Sequence, residues 1–198
     1  MRSFSLFLKR ITDVFGSIIG IIITSPILII TVLLIKITMP GPVFFKQQRA
    51  GLYGKVFEII KFRSMKVDNQ AEKKHDITKD ADRLTAFGKL IRRLKIDELP
   101  QLINVLFGDM SLVGPRPTFK EQVDAYTERQ CHRLDMRPGM TGLAQVNGNI
   151  SLTWEERIEY DLLYVDNYSY WLDIIILIKT VLVVVFGESM FKNPKKEY

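Results

Sequence analysis

The sequence predicts an α+β chain, mainly α: a re-entrant N-terminal membrane helix hairpin, then interfacial amphipathic helices and a small β-hairpin. Three observations lead there. An uncharged apolar run, Phe15 to Ile35, is interrupted midway by Ser25-Pro26. Two strand-like runs flank the turn-rich Ala50-Gly51-Leu52-Tyr53-Gly54. From Leu84 to Lys95, apolar residues recur at helical spacing with basic residues between them. The division that follows is a membrane helix over 1–38, with its break at Ser25-Pro26, and a cytosolic and interfacial domain over 39–198.

Composition narrows the classes before any motif is read. The chain has 198 residues, room for one domain and a membrane element. It is 47% hydrophobic and 25% charged, which fits neither a disordered chain nor a multi-span transporter. A formal net charge of +6 favours anionic partners such as nucleotides, phosphorylated lipids or an acidic bilayer. A single cysteine, Cys131, excludes an internal disulfide framework. With only His75 and His132, no zinc-type cluster can be assembled. The working face is expected in the cytosol.

The elements follow in chain order. The 21 residues from Phe15 to Ile35 carry no charge; as a helix they reach roughly 31 Å, a bilayer's hydrocarbon thickness. This is longer than the apolar part of a cleavable signal, and no small-x-small site follows. Pro26 removes a backbone donor and crowds the preceding turn, so the helix is expected to break or kink there. Arg2, Lys9 and Arg10 precede the run; Lys36, Lys46, Arg49, Lys55, Lys61 and Arg63 follow it. Basic residues on both sides suit a re-entrant hairpin with both ends in the cytosol. A single span with a tolerated kink fits the same features.

Val43 to Arg49 and Lys55 to Phe62 read as the hairpin strands. Residues 68 to 83 hold nine charges and little to bury, a solvated excursion. Leu84, Phe87, Ile91 and Leu94 form one face of a basic helix, which could lie on the membrane or pack on a small core. Thr118 with Glu121, and Thr153 with Glu156, have the spacing of capping boxes. Trp154, Ile158, Leu162 and Val165 then make a buried stripe. The apolar run 171–186 is short for a span and is interrupted by Asp173 and Lys179, which favours interfacial or core packing. Lys192, Lys195 and Lys196 form a basic tail.

The chemistry concentrates in Asp97-Glu98-Leu99-Pro100, followed by Leu102, Ile103 and Leu106 at helical spacing. Pro100 is tolerated only in a first turn, which places Asp97 near an N-cap, where free donors and the macrodipole keep a carboxylate charged. Alone, such a pair is most simply a cap and a first-turn acid. Its company changes the weight. Gly114-Pro115-Arg116-Pro117 and Arg137-Pro138-Gly139 each set an arginine on stiff backbone. With Lys61-Phe62-Arg63-Ser64-Met65 they make a diphosphate site plausible.

At these residues the chain resembles the bacterial sugar transferases, the small monotopic phosphoglycosyl transferases. The resemblance runs through Lys9-Arg10, Ser25-Pro26, Lys61 to Met65, Asp97 to Leu102, Gly108 to Pro117 and Arg137 to Gly148. Asp97-Glu98-Leu99-Pro100-Gln101-Leu102 and Ser111-Leu112-Val113-Gly114-Pro115-Arg116-Pro117 are its most specific strings. The large multi-span N-terminal extension of longer members is missing, so the chain looks like a minimal catalytic unit. The resemblance implies transfer of a sugar 1-phosphate from a UDP-sugar to polyprenyl phosphate, with release of UMP and a requirement for Mg²⁺. It implies Asp97 as a nucleophile that becomes phosphorylated and Glu98 as a Mg²⁺ ligand. By the same resemblance Arg92, Arg116 and Arg137 neutralise the donor diphosphate, and Lys61 and Arg63 meet the acceptor phosphate. Asp161 matches a family acid that supports the metal or an arginine. Because a polyprenyl tail stays in lipid, the resemblance also favours the re-entrant geometry, on the cytosolic face of the bacterial inner membrane. Ser25 is then expected to satisfy carbonyls freed by Pro26.

Two other readings remain at this level. A non-enzymatic, membrane-anchored basic module binding polyanions or a partner protein needs only the charge segregation. Nucleic-acid binding is disfavoured because the basic residues are interleaved with membrane-seeking ones. Neither the sugar nor the pathway is legible, and interfacial helices leave faces that could pair with a second copy.

Overall fold

The computed structural model of the chain describes residues 2–66 and 83–186. The charged stretch 68–83, apart from Arg83, and the tail lysines Lys192, Lys195 and Lys196 lie outside the described residues. The chain is mainly helical. In order it runs α1 (Arg2–Thr38), β1 (Phe44–Ala50), β2 (Val56–Phe62), α2 (Ala86–Arg93), α3 (Gln101–Phe107), β3 (Ser111–Val113), α4 (Lys120–Asp124), α5 (Glu128–Cys131), β4 (Gly139–Thr141), α6 (Leu143–Val146), α7 (Trp154–Asp166) and α8 (Tyr170–Phe186).

Helix α1 has 37 residues with Pro26 inside it, and by length and composition it could cross a membrane. The helix runs on through Ser25-Pro26, so the break or kink expected there does not divide it into two separate helices. Pro26 cannot donate to the Ile22 carbonyl four residues back. The Ser25 hydroxyl donates to that carbonyl instead, at 2.7 Å, and Thr24 donates to Gly20 O at 2.7 Å. The one carbonyl freed by Pro26 is thus met within the helix.

One stripe of α1 docks on the rest of the chain. Lys9, Asp13 and Ser17, and further on Thr31 and Ile35, are buried at steps of four residues, with a step of 14 residues (about four turns) from one group to the other, whereas Ile19, Ile22, Ile23, Ile29 and Ile30 stay exposed. The contacts at the N-terminal end are polar. Lys9 Nζ donates to Val113 O at 2.7 Å and to Asp173 Oδ2 at 2.8 Å. Asp13 Oδ1 accepts from Ser111 Oγ and from Leu112 N, each at 2.9 Å. Arg10 donates to Val105 O at 2.7 Å and Leu106 O at 2.9 Å, closing the C-terminal carbonyls of α3. Lys9 and Arg10, read from sequence as flanking charges, are therefore pins between α1 and the domain. Asp173 interrupts the apolar run of α8 because it is the partner of Lys9.

The hairpin matches the sequence reading to within a residue: β1 pairs antiparallel with β2, from Phe44 opposite Phe62 to Ala50 opposite Val56. A second, parallel pair joins β3 to β4, with Ser111 opposite Gly139 and Val113 opposite Thr141. Three-residue strands carry too little alternation to be seen in sequence. Their ends approach so closely that a Cβ on Gly139 would lie 2.1 Å from Gly114 N, so glycine is required there. Around this pair sits a core of Val113, Met136, Val146, Tyr164, Val165 and Ile176.

Helix starts divide in the same way. Thr153 accepts from Glu156 N at 3.2 Å and Glu156 Oε2 accepts from Thr153 N at 2.7 Å, the capping box expected for α7. The box expected at Thr118 and Glu121 is displaced by one residue: α4 is capped at Phe119, whose N–H donates to Gln122 Oε1 at 3.2 Å. Thr118 pairs instead with Tyr126 OH at 3.3 Å. In α8 only Asp173 and Ile176 are buried, while Trp171, Ile178, Val181, Val184 and Val185 are exposed.

Lys9 and Asp173 side chains are 7% and 6% exposed, so removing one partner strands a buried charge. Lys9→Met is expected to cost about 3–5 kcal/mol of stability. Thermal unfolding in detergent measures it, and Lys9→Met combined with Asp173→Asn should recover most of the loss.

Candidate active site

The acid pair is held by a turn, not by the start of a regular helix. After α2, Lys95 takes a left-handed conformation (φ 57°) and Ile96–Glu98 form a 3₁₀ turn, closed by Leu99 N donating to Ile96 O at 3.2 Å. Pro100, with φ −60°, is the N-cap of α3. Asp97 therefore lies three residues ahead of the position read from sequence, and its carboxylate does not cap α3. The reversal at Lys95 begins the helical path earlier than the Pro100 signal suggests.

Helix α3 is fixed against the hairpin by one side chain. Asn104 Nδ2 donates to Glu58 O at 2.7 Å, and Asn104 Oδ1 accepts from Ile60 N at 3.0 Å. The amide thus behaves as an added strand residue on β2. This clamp sets Lys61, next along β2, beside the acid pair. Helix α2 approaches by a different device: a Cβ on Gly88 would lie 1.8 Å from Ser64 O. That contact brings Arg92, whose Nε donates to Ser64 Oγ at 2.7 Å.

Electrostatics then separates the two acids. Glu98 Oε1 accepts from Lys61 Nζ at 3.0 Å and from Arg116 Nη2 at 3.1 Å. Burial alone would raise the Glu98 carboxyl, but Arg116 and Lys61 outweigh it and hold the group down at about 2. Asp97 goes the other way: burial, and next the Glu98 charge, push its carboxyl above the ordinary range against the pull of Lys61 and Arg92. The expectation that a helix dipole keeps Asp97 charged is thus replaced by a pair in which one acid is firmly ionised and its neighbour is strained toward neutrality.

The structure brings Lys61, Arg92, Asp97, Glu98 and Arg116 together. Other residues singled out in the sequence serve backbone or each other. Arg63 is buried and donates to Pro40 O at 3.1 Å and to Met39 O, holding the exit of α1. Arg137 Nε donates to Gly108 O at 2.9 Å, behind α3. Asp161 pairs with Arg133 through contacts of 2.7 and 2.6 Å, with side chains 1% and 3% exposed. Burial raises the Asp161 carboxyl to about 6 against the opposing charge of Arg133. Arg133 also donates to Arg116 O at 2.7 Å, so this pair anchors the backbone that aims Arg116 at Glu98. Nothing in its local sequence distinguishes Arg133 from a surface arginine. Ser25 and Pro26 lie within α1 and take part through the helix alone.

Two concavities adjoin the acid pair. An apolar groove of about 230 Å³ is lined by Leu28 and Val32 of α1, Phe44 and Phe62 of the hairpin, and Leu99 and Pro100. A polar cavity of about 160 Å³ includes Arg49, Arg116, Arg133, Arg157, Trp154 and Asp161. Glu98 lines neither, but it is linked to both: Leu99, next in the chain, walls the groove, and its partner Arg116 walls the cavity. Among the described residues no cluster of three or more His, Cys, Asp or Glu could hold a metal. Two adjacent carboxylates nevertheless suit Mg²⁺, which keeps several waters and takes further oxygens from substrate phosphates.

A carboxyl raised by folding costs stability once it ionises. Asp97→Asn is therefore expected to raise the melting temperature at pH 7. Below the unfolded aspartate pKa of about 3.9 the acid is neutral in both states and the gain should vanish. Thermal scans of the two proteins across pH 3 to 7 test the sign.

Comparison with known proteins agrees with this geometry. Residues 4–187 match the family model described as bacterial sugar transferase. An uncharacterized sugar transferase of Bacillus subtilis (strain 168) is 45% identical over 185 residues, covering 93% of this chain and 91% of the relative. The UDP-N-acetylgalactosamine-undecaprenyl-phosphate N-acetylgalactosaminephosphotransferase of Aeromonas hydrophila is 43% identical, covering 91% of this chain and 44% of its own length. The UDP-glucose:undecaprenyl-phosphate glucose-1-phosphate transferase of Klebsiella pneumoniae is 41% identical, over 96% of this chain and 43% of its own. The chain thus spans nine-tenths of the first relative and under half of the other two. With a match across nearly all its described residues, and an acid pair set between cationic and apolar walls, the chain belongs to the bacterial sugar transferase family.

Proposed function

We propose that this chain moves a sugar 1-phosphate from a UDP-sugar to polyprenyl (undecaprenyl) phosphate, releasing UMP, as the first membrane step of glycoconjugate assembly. One observation carries the reading. The Asp97-Glu98 pair precedes Leu99, a wall of an apolar groove, and is bonded to Arg116, a wall of an arginine-lined cavity, an arrangement that suits one lipid-borne and one anionic substrate. The Aeromonas and Klebsiella relatives are named for reactions of this kind.

In the proposed chemistry an Asp97 carboxylate oxygen attacks the β-phosphorus of the donor in line. The bond from that phosphorus to the bridging oxygen breaks, and UMP leaves with the electron pair. A phosphate oxygen of the acceptor then attacks the sugar-bearing phosphorus and frees the Asp97 carboxylate. Arg116 and Lys61 spread the negative charge of the diphosphate, and Arg92 stands beside the attacking acid. Glu98 would hold Mg²⁺ together with donor phosphate oxygens, and the ion would offset the charge of the leaving group. Arg137 and Arg63 act from behind, on Gly108 and on the exit of α1. Asp161 acts through Arg133. The raised Asp97 carboxyl suits a group that must shed solvent before bonding to phosphorus.

The membrane geometry belongs to the same proposal. A polyprenyl tail stays in lipid, so the groove beside Leu99 and Pro100 must sit at headgroup depth. We take α1 as re-entrant, with both ends and the whole catalytic domain on the cytosolic face of the bacterial inner membrane. The exposed apolar face of α8 would lie in the interface.

The purified chain in detergent, given Mg²⁺, undecaprenyl phosphate and a panel of UDP-sugars, is expected to release UMP. No release with any donor would favour a basic membrane module without chemistry. Radiolabelled donor alone should mark the polypeptide after an acid quench. Asp97→Asn should lose at least about a thousandfold in turnover and take no label. Because the reactive form is the carboxylate, kcat/KM should rise with pH, with a midpoint above the ordinary aspartate value of about 3.9.

For topology, Phe4→Cys and Lys46→Cys in a Cys131→Ser background should both react only from the cytosolic side. Labelling of either from the periplasm would establish a crossing and end the re-entrant reading.

A further inference from the structure

The polar cavity carries more positive charge than the reaction centre needs. Arg49, Arg116, Arg133 and Arg157 line it against the single carboxylate of Asp161, which Arg133 already holds. Arg49 lies over the Phe119 ring, 3.5 Å from its centroid. Burial, and next the charge of Arg116, push the Arg49 guanidinium down to about 10. Like charges gathered in a partly desolvated pocket repel until a counter-charge arrives. Two other lining residues, Trp154 and Gln145, are different in kind. Trp154 presents an indole, with Arg133 5.6 Å from its ring. Gln145 donates from Nε2 to Met140 O at 3.4 Å and leaves Oε1 buried without a hydrogen-bond partner.

We propose that this cavity is the nucleotide half of the donor site, taking the diphosphate between Arg49 and Arg116 and the pyrimidine toward Trp154 and Gln145. The assignment rests on the transferase reading above and adds the residues that select the nucleotide. Direction follows from Arg116, which lines the cavity and also reaches Glu98 at 3.1 Å, so the anionic end of an occupant faces the acid pair. Planar guanidinium forks match phosphate oxygens, and an indole offers a face to a base. The vacant carbonyl of Gln145 is an acceptor. Uracil carries a ring N–H that can donate to it, and cytosine has no hydrogen at that ring position. Gln145 is thus the residue assigned to the choice of uracil.

Calorimetric titration of the full chain in detergent with UDP and with CDP tests the assignment. Arg49→Gln should weaken UDP binding at least tenfold, and Arg49→Lys should recover part of it. Gln145→Met should leave CDP affinity near that of the unaltered chain and reduce the preference for UDP over CDP at least fivefold. Thermal melts accompany each variant; should Arg49→Gln unfold, the UDP-to-CDP ratio of Gln145→Met decides alone, because a packing role would weaken both nucleotides equally. Unaltered UDP affinity and selectivity in these variants would overturn the subsite while UMP release still upheld the transferase. Absence of UDP binding by the unaltered chain, with no UMP release, would overturn both.

Discussion

The amide of Asn104 sets the distance on which the site depends. By donating to Glu58 O and accepting from Ile60 N it locks α3 to the inner edge of β2. Both hydrogen bonds are sheltered, and a buried amide left unpaired would cost more than either bond contributes. The spacing between hairpin and helix is therefore nearly fixed. Lys61 follows on the strand and Glu98 precedes the helix, so their 3.0 Å contact is inherited from the clamp. Arg10 and Gly108 close the other end of α3, and α1 lies along its flank. A short helix with little intrinsic stability is in this way held on several sides, and the catalytic turn ahead of it inherits that rigidity.

Two cations on one carboxylate explain how adjacent acids come to differ. Glu98 takes both Lys61 and Arg116, so its charge is compensated, and the same charge then weighs on Asp97. The nearer cations belong to Glu98; Arg92 is held by Ser64 and reaches Asp97 only through its field. Position along the backbone is less informative here than the distribution of partners. Arg116 depends in turn on Arg133 and Asp161, a buried pair that holds its carbonyl. The stiffness suggested by the flanking prolines is thus supplemented by an anchor from α7.

Local signals in the sequence were read correctly where local physics decides. The hairpin, the α7 capping box and the apolar length of α1 all follow from neighbours within a few residues. The acid pair and Arg116 were found by motif, and their cationic surroundings were anticipated in Lys61 and Arg92. What failed was nonlocal. The parallel β3–β4 pair is too short to leave a pattern. Arg63 and Arg137 look like anion ligands in sequence, and the backbone bonds they make, to Met39, Pro40 and Gly108 carbonyls, leave no local signal. Arg49, Arg133 and Gln145 acquire meaning only when distant segments meet around the polar cavity. Even the raised Asp97 carboxyl reflects burial, which no spacing rule reports.

The Lys9–Asp173 pair joins residues 164 apart in the chain. During synthesis α1 is made well before α8, yet its buried ammonium has no counter-ion until α8 emerges from the ribosome. Docking of α1 is therefore a late event, coupling the placement of one helix to the completion of another far along the chain. A nascent product that stops short of α8 would leave the docking stripe of α1 unmet, which makes premature termination a route to a species that proteases can recognise.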